Sequence, residues 1–261
     1  MIPTSEQIKW EVFNHHTIIS QKSENDKVIV LGTFLYGSQN YGIDTPDSDI
    51  DTISLCVPSY EDFLMGEKVQ NATFKMTDGS LATIKDFRTF ITKILNGGDV
   101  SSLEILFTDY CVLSPHFSPY WEQLKANREA IAKINFSRIL RSFKGQAVSY
   151  AKKFKEKPEP DLKYNRKALA HVYRITASIS ALLNGKLYME ALRNKDIVKH
   201  ILRLRTEPLK VDAAQVVVDA CMDHIDKIYR EDIESSDNAK ELKSYIKDIA
   251  MEAIEAIYDI H

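Results

Sequence analysis

The chain has 261 residues, of which 44% are hydrophobic and 27% charged, and its formal net charge is −3. This balance excludes disorder and low complexity as descriptions of the whole chain, and the length allows one large domain or two small ones. No stretch approaches the roughly 20 apolar residues of a membrane-spanning helix, and the first ten residues lack the layout of a signal peptide. Because the three cysteines, Cys56, Cys111 and Cys221, are widely spaced, we expect a reduced, cytoplasmic protein without a membrane partner.

The first half of the chain alternates segments of strand and helix character. Val28 to Tyr36 is rich in β-branched and aromatic residues, which favours a strand. Apolar residues recur at helical spacing between Phe87 and Ile94, and Gly97-Gly98 follows as a stop signal. We expect strands over 28–36, 49–57 and 80–85, and helices over 5–14, 59–65, 86–96 and 99–107.

The second half of the chain has helical periodicity. Apolar residues recur every three or four positions from Phe136 to Phe154, with lysines and arginines off that stripe, until Pro158-Glu159-Pro160. Further helices are expected over 165–184, 211–230 and 238–258. We therefore predict an α+β protein, with a mixed sheet flanked by helices in an N-terminal domain (1–125) and a C-terminal helical-bundle domain (126–261).

Charge is distributed unevenly along the chain. Residues 133–175 contain twelve basic and three acidic residues, a net charge of +9, whereas residues 219–261 carry a net charge of −7. A cationic segment attracts phosphates, which indicates a nucleic acid or nucleotide as partner. The alternative is an ordinary solvated helix face balanced by a second one.

The segment from Leu35 to Thr52 combines two features that bear on chemistry. A predicted strand ends in Gly37-Ser38, where glycine allows a tight turn and a close approach of a ligand to the main chain. Ten residues later comes Asp49-Ile50-Asp51. Since alternate residues of a strand point to the same face, the two carboxylates should lie side by side.

Two adjacent carboxylates repel each other unless a cation lies between them. Hard oxygen ligands select Mg²⁺ or Mn²⁺, and two such ions about 4 Å apart can stabilise both the attacking and the leaving oxygen of a phosphoryl displacement. Each motif alone has an ordinary explanation, since Asp-x-Asp is common in surface turns and Gly-Ser in loops. Their spacing between two predicted strands favours a metal and phosphate site.

Gly37-Ser38, ten residues and Asp49-Ile50-Asp51 together resemble the signature of the DNA polymerase β-like nucleotidyltransferase superfamily. Within it, the sequence GSQNYGIDTPDSDID is similar to the predicted nucleotidyltransferases associated with RNA ligases and RNA repair. Looser similarities follow at residues 85–88, 103–107, 165–174 and 192–194. The resemblance covers most of residues 30–230 and implies that the N-terminal sheet is of the nucleotidyltransferase type.

The resemblance implies transfer of a nucleoside monophosphate from an NTP, such as ATP, to an acceptor, with two magnesium or manganese ions as cofactors. Gly37 and Ser38 would hold the triphosphate, and Asp49 and Asp51 would bind both metals. The superfamily normally adds a third carboxylate from the next strand, which here carries no acid before its end. We select Asp86, although an Asp directly before a helix is also a common N-cap, and weaker candidates are Asp78 and Glu104.

A second group of candidates lies on the helix predicted from Asn165. Lys167, His171 and Arg174 fall within one narrow stripe, which suits a triphosphate or a nucleic-acid backbone. We expect Lys167 and Arg174 to reach phosphate across a cleft between the domains, with His171 nearby. Tyr41 lies between the two motifs and either contacts a base or ribose or packs the loop.

Three functions remain open. The first is a nucleotidyltransferase that acts on an RNA end, such as that of a tRNA, in repair. The second transfers AMP to a protein, as minimal antitoxin-like enzymes do, or to a small molecule, and the third is a non-catalytic RNA-binding relative. Arg166 and His171 also match, weakly, the Arg-x4-His spacing of HEPN-type ribonucleases.

Overall fold

The computed structural model describes residues 2–25, 27–229 and 238–259. The chain divides into two compact units. The first contains the residues up to Asn40, the range Pro46–Ile134 and the last helix, and the second contains Tyr41–Thr45 and the chain from Asn135 onwards to the last loop. The boundary predicted from the sequence lies instead at 125/126, with the last helix in the second domain.

Five strands form one mixed sheet in the first unit. They are β1 (Val28–Tyr36), β2 (Asp51–Pro58), β3 (Ala72–Lys75), β4 (Leu81–Asp86) and β5 (Cys111–Leu113), and their order in the sheet is β3-β4-β2-β1-β5. β2 and β4 run parallel, and the other neighbours are antiparallel. The prediction of an α+β protein with a mixed sheet flanked by helices is confirmed. β3 and β5 were missed, because each has only three or four residues and lies at an edge of the sheet.

Helices account for most of the remaining chain. They are α1 (Ser5–Asn25), α2 (Ser38–Tyr41), α3 (Tyr60–Leu64), α4 (Phe87–Asn96), α5 (Val100–Glu104), α6 (Ser118–Ala126), α7 (Arg128–Ile131), α8 (Phe136–Glu156), α9 (Arg166–Leu183), α10 (Tyr188–Leu192), α11 (Lys195–Thr206), α12 (Val211–Ile228) and α13 (Ala239–Tyr258). The expected helix over 99–107 is α5 followed by a 3-10 turn at Ile105–Phe107. Arg230, the last residue of the helix expected over 211–230, lies outside the described residues.

α1 covers one face of the sheet and is much longer than predicted. Beyond Asn14, the expected end, His15 and His16 hydrogen-bond to sheet residues Thr52 and Thr33. Ile19 is fully buried in a cluster that includes sheet residues. The helix continues past the predicted end because these side chains pack on the sheet, which the sequence pattern does not reveal.

The opposite face of the sheet is covered by α4 and α6. The rings of Phe34, on β1, and Trp121, on α6, have centroids 4.1 Å apart, and Phe90 of α4 also contacts Trp121. α13 packs on α4 and α6. These contacts assign the last helix to the first unit.

In the second unit, α9 packs against α8, α10, α11 and α12. Its core contains the buried side chains of Phe154, Tyr164, Leu169 and Val218. α11 was not predicted, since only Ile201 of its residues is buried and charged residues interrupt its apolar pattern.

Candidate functional site

The Gly-Ser bend and the second aspartate of the Asp-Ile-Asp motif are neighbours in the structure. Tyr36, the last residue of β1, pairs with Asp51, the first residue of β2. Gly37 follows with φ = +90°, a conformation that L side chains rarely adopt, and a Cβ there would lie 3.6 Å from Asp51 Oδ2. Glycine at this position therefore provides both the turn and open space beside the carboxylate.

Asp49 and Asp51 flank a buried residue. Ile50 packs with Ile8, Val12 and Leu35 on the face of the sheet covered by α1. β2 begins at Asp51, whose side chain points to the face of the sheet opposite that cluster, whereas Asp49 and Ile50 lie in the segment that precedes the strand. Asp49 is exposed and Asp51 is half-buried, with its Oδ1 accepting a hydrogen bond of 2.9 Å from the amide of Leu81.

β4, the parallel neighbour of β2, contributes no carboxylate beside this pair. The register pairs Thr52 with Ala82, and Ala82 packs in the cluster under α1. The opposite face of β4, which is the face of Asp51, carries Leu81, Thr83 and Lys85.

The structure does not bring Asp86 to the aspartate pair. Asp86 pairs with Cys56, five residues along the parallel strands, so it lies roughly 16 Å from the level of Asp51 and faces the other side of the sheet. It is 1% exposed and caps α4 by accepting from the amide of Thr89 at 2.9 Å. Asp86 also accepts from the amide of Val69 and forms an ion pair with Arg88. The N-cap alternative therefore describes Asp86, and its selection as a catalytic residue and metal ligand is corrected.

The two weaker candidates for a third acid lie in different places. Asp78 precedes β4, at the end of the strand nearest Asp51, and its Oδ1 accepts from the hydroxyl of Ser80 at 2.5 Å. Glu104 is buried at the end of α5, where the side chain of Asn40 donates to its backbone carbonyl. Asp78 therefore lies near Asp51, and Glu104 lies near the helix that begins at Ser38.

Ser38 begins the short helix α2 directly after Gly37. A turn closes there, with the amide of Asn40 donating to the carbonyl of Gly37 at 3.0 Å. Ser38 is half-buried. The two residues predicted to bind the triphosphate, Gly37 and Ser38, therefore follow the end of β1 directly, and Gly37 lies beside Asp51.

Tyr41, in the second unit, is packed rather than open to a base. Its ring is 3% exposed, and the guanidinium of Arg174 lies 4.2 Å from the ring centroid. Arg205, from α11, donates to the backbone carbonyl of Ile43. Residues Tyr41–Thr45 are thus held by arginines of α9 and α11, and of the two alternatives for Tyr41 the structure favours packing.

The predicted stripe on α9 runs from solvent into the interior of the second unit. Lys167 is exposed, whereas His171 is 6% exposed and stacks on Tyr150 with ring centroids 4.4 Å apart. Among the described residues, Nδ1 of His171 has no hydrogen-bond partner. Arg166, the arginine of the ribonuclease-like spacing, is instead paired with Glu159 at 2.7 Å.

Cationic side chains from three helices lie near His171. Burial lowers the pKa of His171 well below its usual value, and four cations reinforce this effect: Arg174, Arg205, Lys167 and Lys153. The imidazole is therefore neutral at physiological pH. Sequence reasoning missed Lys153 and Arg205, because the fold brings them to α9 from α8 and from the unpredicted helix α11.

The sites described above lie within one unit each. Gly37, Ser38, Asp49 and Asp51 belong to the first unit, and the cations around His171 belong to the second. Among the described residues, no helix is both long and apolar enough to cross a membrane. The sequence matches no protein-family model and no curated protein.

Proposed function

We propose that this protein is a metal-dependent nucleotidyltransferase that moves a nucleoside monophosphate from an NTP to the end of an RNA. The observation that carries the proposal is the position of Gly37 against Asp51, with the exposed Asp49 two residues before Asp51. This arrangement joins a bend suited to a nucleotide's phosphates to a pair of carboxylates. The resemblance of the spaced motif to the polymerase β-like superfamily supports the same chemistry.

The aspartate pair fits divalent metal ions by its chemistry and its surroundings. Both side chains offer hard oxygen atoms, one is exposed, and the missing side chain of Gly37 leaves space beside Asp51 Oδ2. Asp49 and Asp51 would hold Mg²⁺ or Mn²⁺, and bound ions would neutralise charge on the phosphate oxygens. Gly37 would let the triphosphate approach the main chain, and the Ser38 hydroxyl would donate a hydrogen bond to it.

We further propose that the second unit is a helical bundle that binds phosphate groups. Lys153 and Lys167 are exposed beside the neutral imidazole of His171, and the surrounding sequence carries the net charge of +9. Arg174 and Arg205 hold Tyr41–Thr45 in place and add to the positive potential. A nucleic-acid acceptor uses such a surface more fully than a small molecule does.

A second candidate function is RNA binding without transfer. It is favoured by β4, whose residues on the face of Asp51 are Leu81, Thr83 and Lys85 rather than an acid. An enzyme of the resembled superfamily normally uses a third carboxylate there. The two candidates differ in whether a nucleotide becomes covalently attached to an acceptor.

The decisive experiment incubates the full chain with each labelled NTP, Mg²⁺ or Mn²⁺, and a mixed tRNA pool. We expect label in RNA, and we expect Asp49→Ala and Asp51→Ala each to abolish it while RNA binding survives. Asp47→Ala is the matched control, since Asp47 is exposed in the same loop. Full activity in either the Asp49 or the Asp51 variant would refute the mechanism.

The distribution of the label separates the remaining alternatives. Labelled protein with unlabelled RNA would indicate transfer of AMP to a protein. RNA binding with a steep salt dependence but no incorporation of any NTP would support the non-catalytic candidate.

A further inference from the structure

Three metal-ligating side chains meet at the end of the sheet where β2 and β4 begin. Glu11 and His15 lie one turn apart on α1, and Asp78 lies in the turn between β3 and β4. One ligand atom from each residue lies within 4.8 Å of those from the other two. None of the three belongs to the aspartate pair of the proposed transfer reaction.

His15 is held in a fixed orientation by two hydroxyl groups. It is fully buried, with Nδ1 2.9 Å from Thr52 Oγ1 and Nε2 3.0 Å from Ser80 Oγ. The Ser80 hydroxyl donates its proton to Asp78 Oδ1, because an ionised carboxylate only accepts. Nε2 therefore donates to Ser80, and Nε2 is the ring nitrogen that faces the Asp78 side of the cluster.

The charge states of His15 and Asp78 are compatible with a bound cation. Burial lowers the pKa of His15, although the carboxylates of Asp78, Glu11 and Asp51 act to raise it. Burial acts to raise the pKa of Asp78, but the hydrogen bonds from Ser80, together with smaller effects that include the interaction with His15, outweigh burial and the pKa is lowered. Near neutral pH the site therefore offers a neutral imidazole at His15 and an ionised carboxylate at Asp78, which are forms that bind metal.

We propose that Glu11, His15 and Asp78 form a binding site for a transition-metal ion of the zinc type, separate from the ions of the aspartate pair. One imidazole nitrogen and two carboxylate oxygens are a donor set that Zn²⁺ accepts, and a water molecule would complete the coordination. The two carboxylates balance the charge of a divalent ion. This inference does not depend on the proposed transfer reaction.

The geometry requires a small local movement. Bonds of about 2.0–2.2 Å to a tetrahedral ion bring its ligand atoms to roughly 3.4 Å from one another, closer than the 4.8 Å limit within which they lie. Glu11 is half-buried and Asp78 is exposed, so their side chains have room to close on His15. The metal takes the position of the Nε2 proton, so the Ser80 hydroxyl, 3.0 Å from Nε2, must rotate away from it. The imidazole then carries its proton on Nδ1 and donates it to Thr52.

The test is a titration of the full chain with Zn²⁺ alone, without nucleotide, followed by calorimetry. We expect one ion to bind to the wild type, and Glu11→Gln and Asp78→Asn each to weaken binding by at least about tenfold. Both changes are at accessible positions, so circular dichroism should show an intact fold. Co²⁺ provides a second readout, since its visible absorption spectrum reports nitrogen and oxygen coordination directly.

Two control variants locate the ion. Glu6→Gln changes an exposed acid on the first turn of α1, and Asp49→Asn changes the proposed catalytic pair. Both should bind Zn²⁺ as the wild type does. Absence of stoichiometric binding, unchanged affinity in the Glu11 and Asp78 variants, or loss of the ion in Asp49→Asn would overturn the proposal. The first two results would mean that His15 only holds α1 to the sheet.

Discussion

The carboxylates at the two ends of the paired strands β2 and β4 lie in different surroundings. At one end, Asp86 is 1% exposed and its oxygens accept from two backbone amides and from Arg88. At the other end, Asp49 is exposed and Asp51 is half-buried beside a glycine that adds no side chain. Asp86 therefore stabilises the start of α4 and a loop, whereas Asp49 and Asp51 remain accessible to a ligand.

The comparison shows how a structural acid is distinguished from a functional one. A buried carboxylate surrounded by donors contributes to stability, and its removal leaves those donors unsatisfied. An exposed pair of like charges contributes nothing to stability by itself and is explained more readily by a ligand. Four predictions test this distinction, from the largest effect to the smallest.

Replacement of Asp86 should cost more stability than any change at the other end. We expect Asp86→Ala to lower the free energy of unfolding by about 3 kcal/mol, because α4 loses its N-cap and Val69 and Arg88 lose a buried acceptor. Urea unfolding followed by tryptophan fluorescence measures this, since Trp10 and Trp121 both lie in the first unit. Asp49→Ala is the control and should change stability by less than about 0.5 kcal/mol. An equal loss of unfolding free energy in Asp86→Ala and Asp49→Ala would contradict the distinction between a structural and a functional acid.

Gly37→Ala should reduce nucleotide incorporation about 100-fold, equivalent to roughly 2.7 kcal/mol. The added Cβ fills the space beside Asp51 Oδ2 and strains a backbone with φ = +90°. Gly66→Ala is the matched control, because Gly66 has φ = +80° with no atom within 4 Å of an added Cβ. The control should show the strain as a stability loss of about 1–2 kcal/mol but full incorporation. Similar nucleotide incorporation by the Gly37 and Gly66 variants would show that Gly37 has no specific role in the reaction.

A carboxylate added on β4 should strengthen metal binding at the aspartate pair. Leu81 is 42% exposed on the face of Asp51, so Leu81→Asp places a third acid beside the pair. We expect nucleotide-dependent Mn²⁺ affinity to rise about tenfold, since affinity follows the number of charged ligands. Leu81→Asn controls for polarity alone, and the same affinity in both variants would contradict the expectation.

Tyr258, which lies near Asp86, should make the stability of the protein sensitive to alkaline pH. Burial raises the pKa of Tyr258 to about 12, with Asp86 and Asp62 adding to the effect and Arg88 opposing it. Since the unfolded tyrosine ionises near pH 10, the free energy of unfolding should fall as the pH rises from about 10 to 12. The expected loss is about 1 kcal/mol, because the ring is partly exposed. Tyr258→Phe should flatten this part of the pH profile, and an identical profile would exclude the ring as its cause.

Much of the sheet and several long helices could be predicted because their periodicity is strong. β1 was predicted at Val28–Tyr36, and α8, α9 and α13 lie close to their expected ranges. The short edge strands and α11 were not predicted, since their few buried residues leave little pattern. The length of α1 depends on contacts with the sheet, which no local pattern contains.

The candidate site was predictable where its residues are close in sequence. Gly37 and Asp51 belong to one hairpin, so their proximity follows from the pairing of β1 and β2. The location of Asp86 depends on the register of β4 against β2, which local periodicity does not determine. His15 contacts Thr52 and Ser80 across 37 and 65 residues of chain, so the cluster with Glu11 and Asp78 emerges only in three dimensions.

The most direct test of the central claim measures Mn²⁺ that binds only when a non-hydrolysable NTP is present, by electron paramagnetic resonance. We expect nucleotide-dependent binding of Mn²⁺ in the wild type and in Asp86→Asn, and its loss in Asp49→Ala and Asp51→Ala. Nucleotide-dependent Mn²⁺ binding of wild-type strength in the Asp49 and Asp51 variants would contradict the claim that this pair holds the metal.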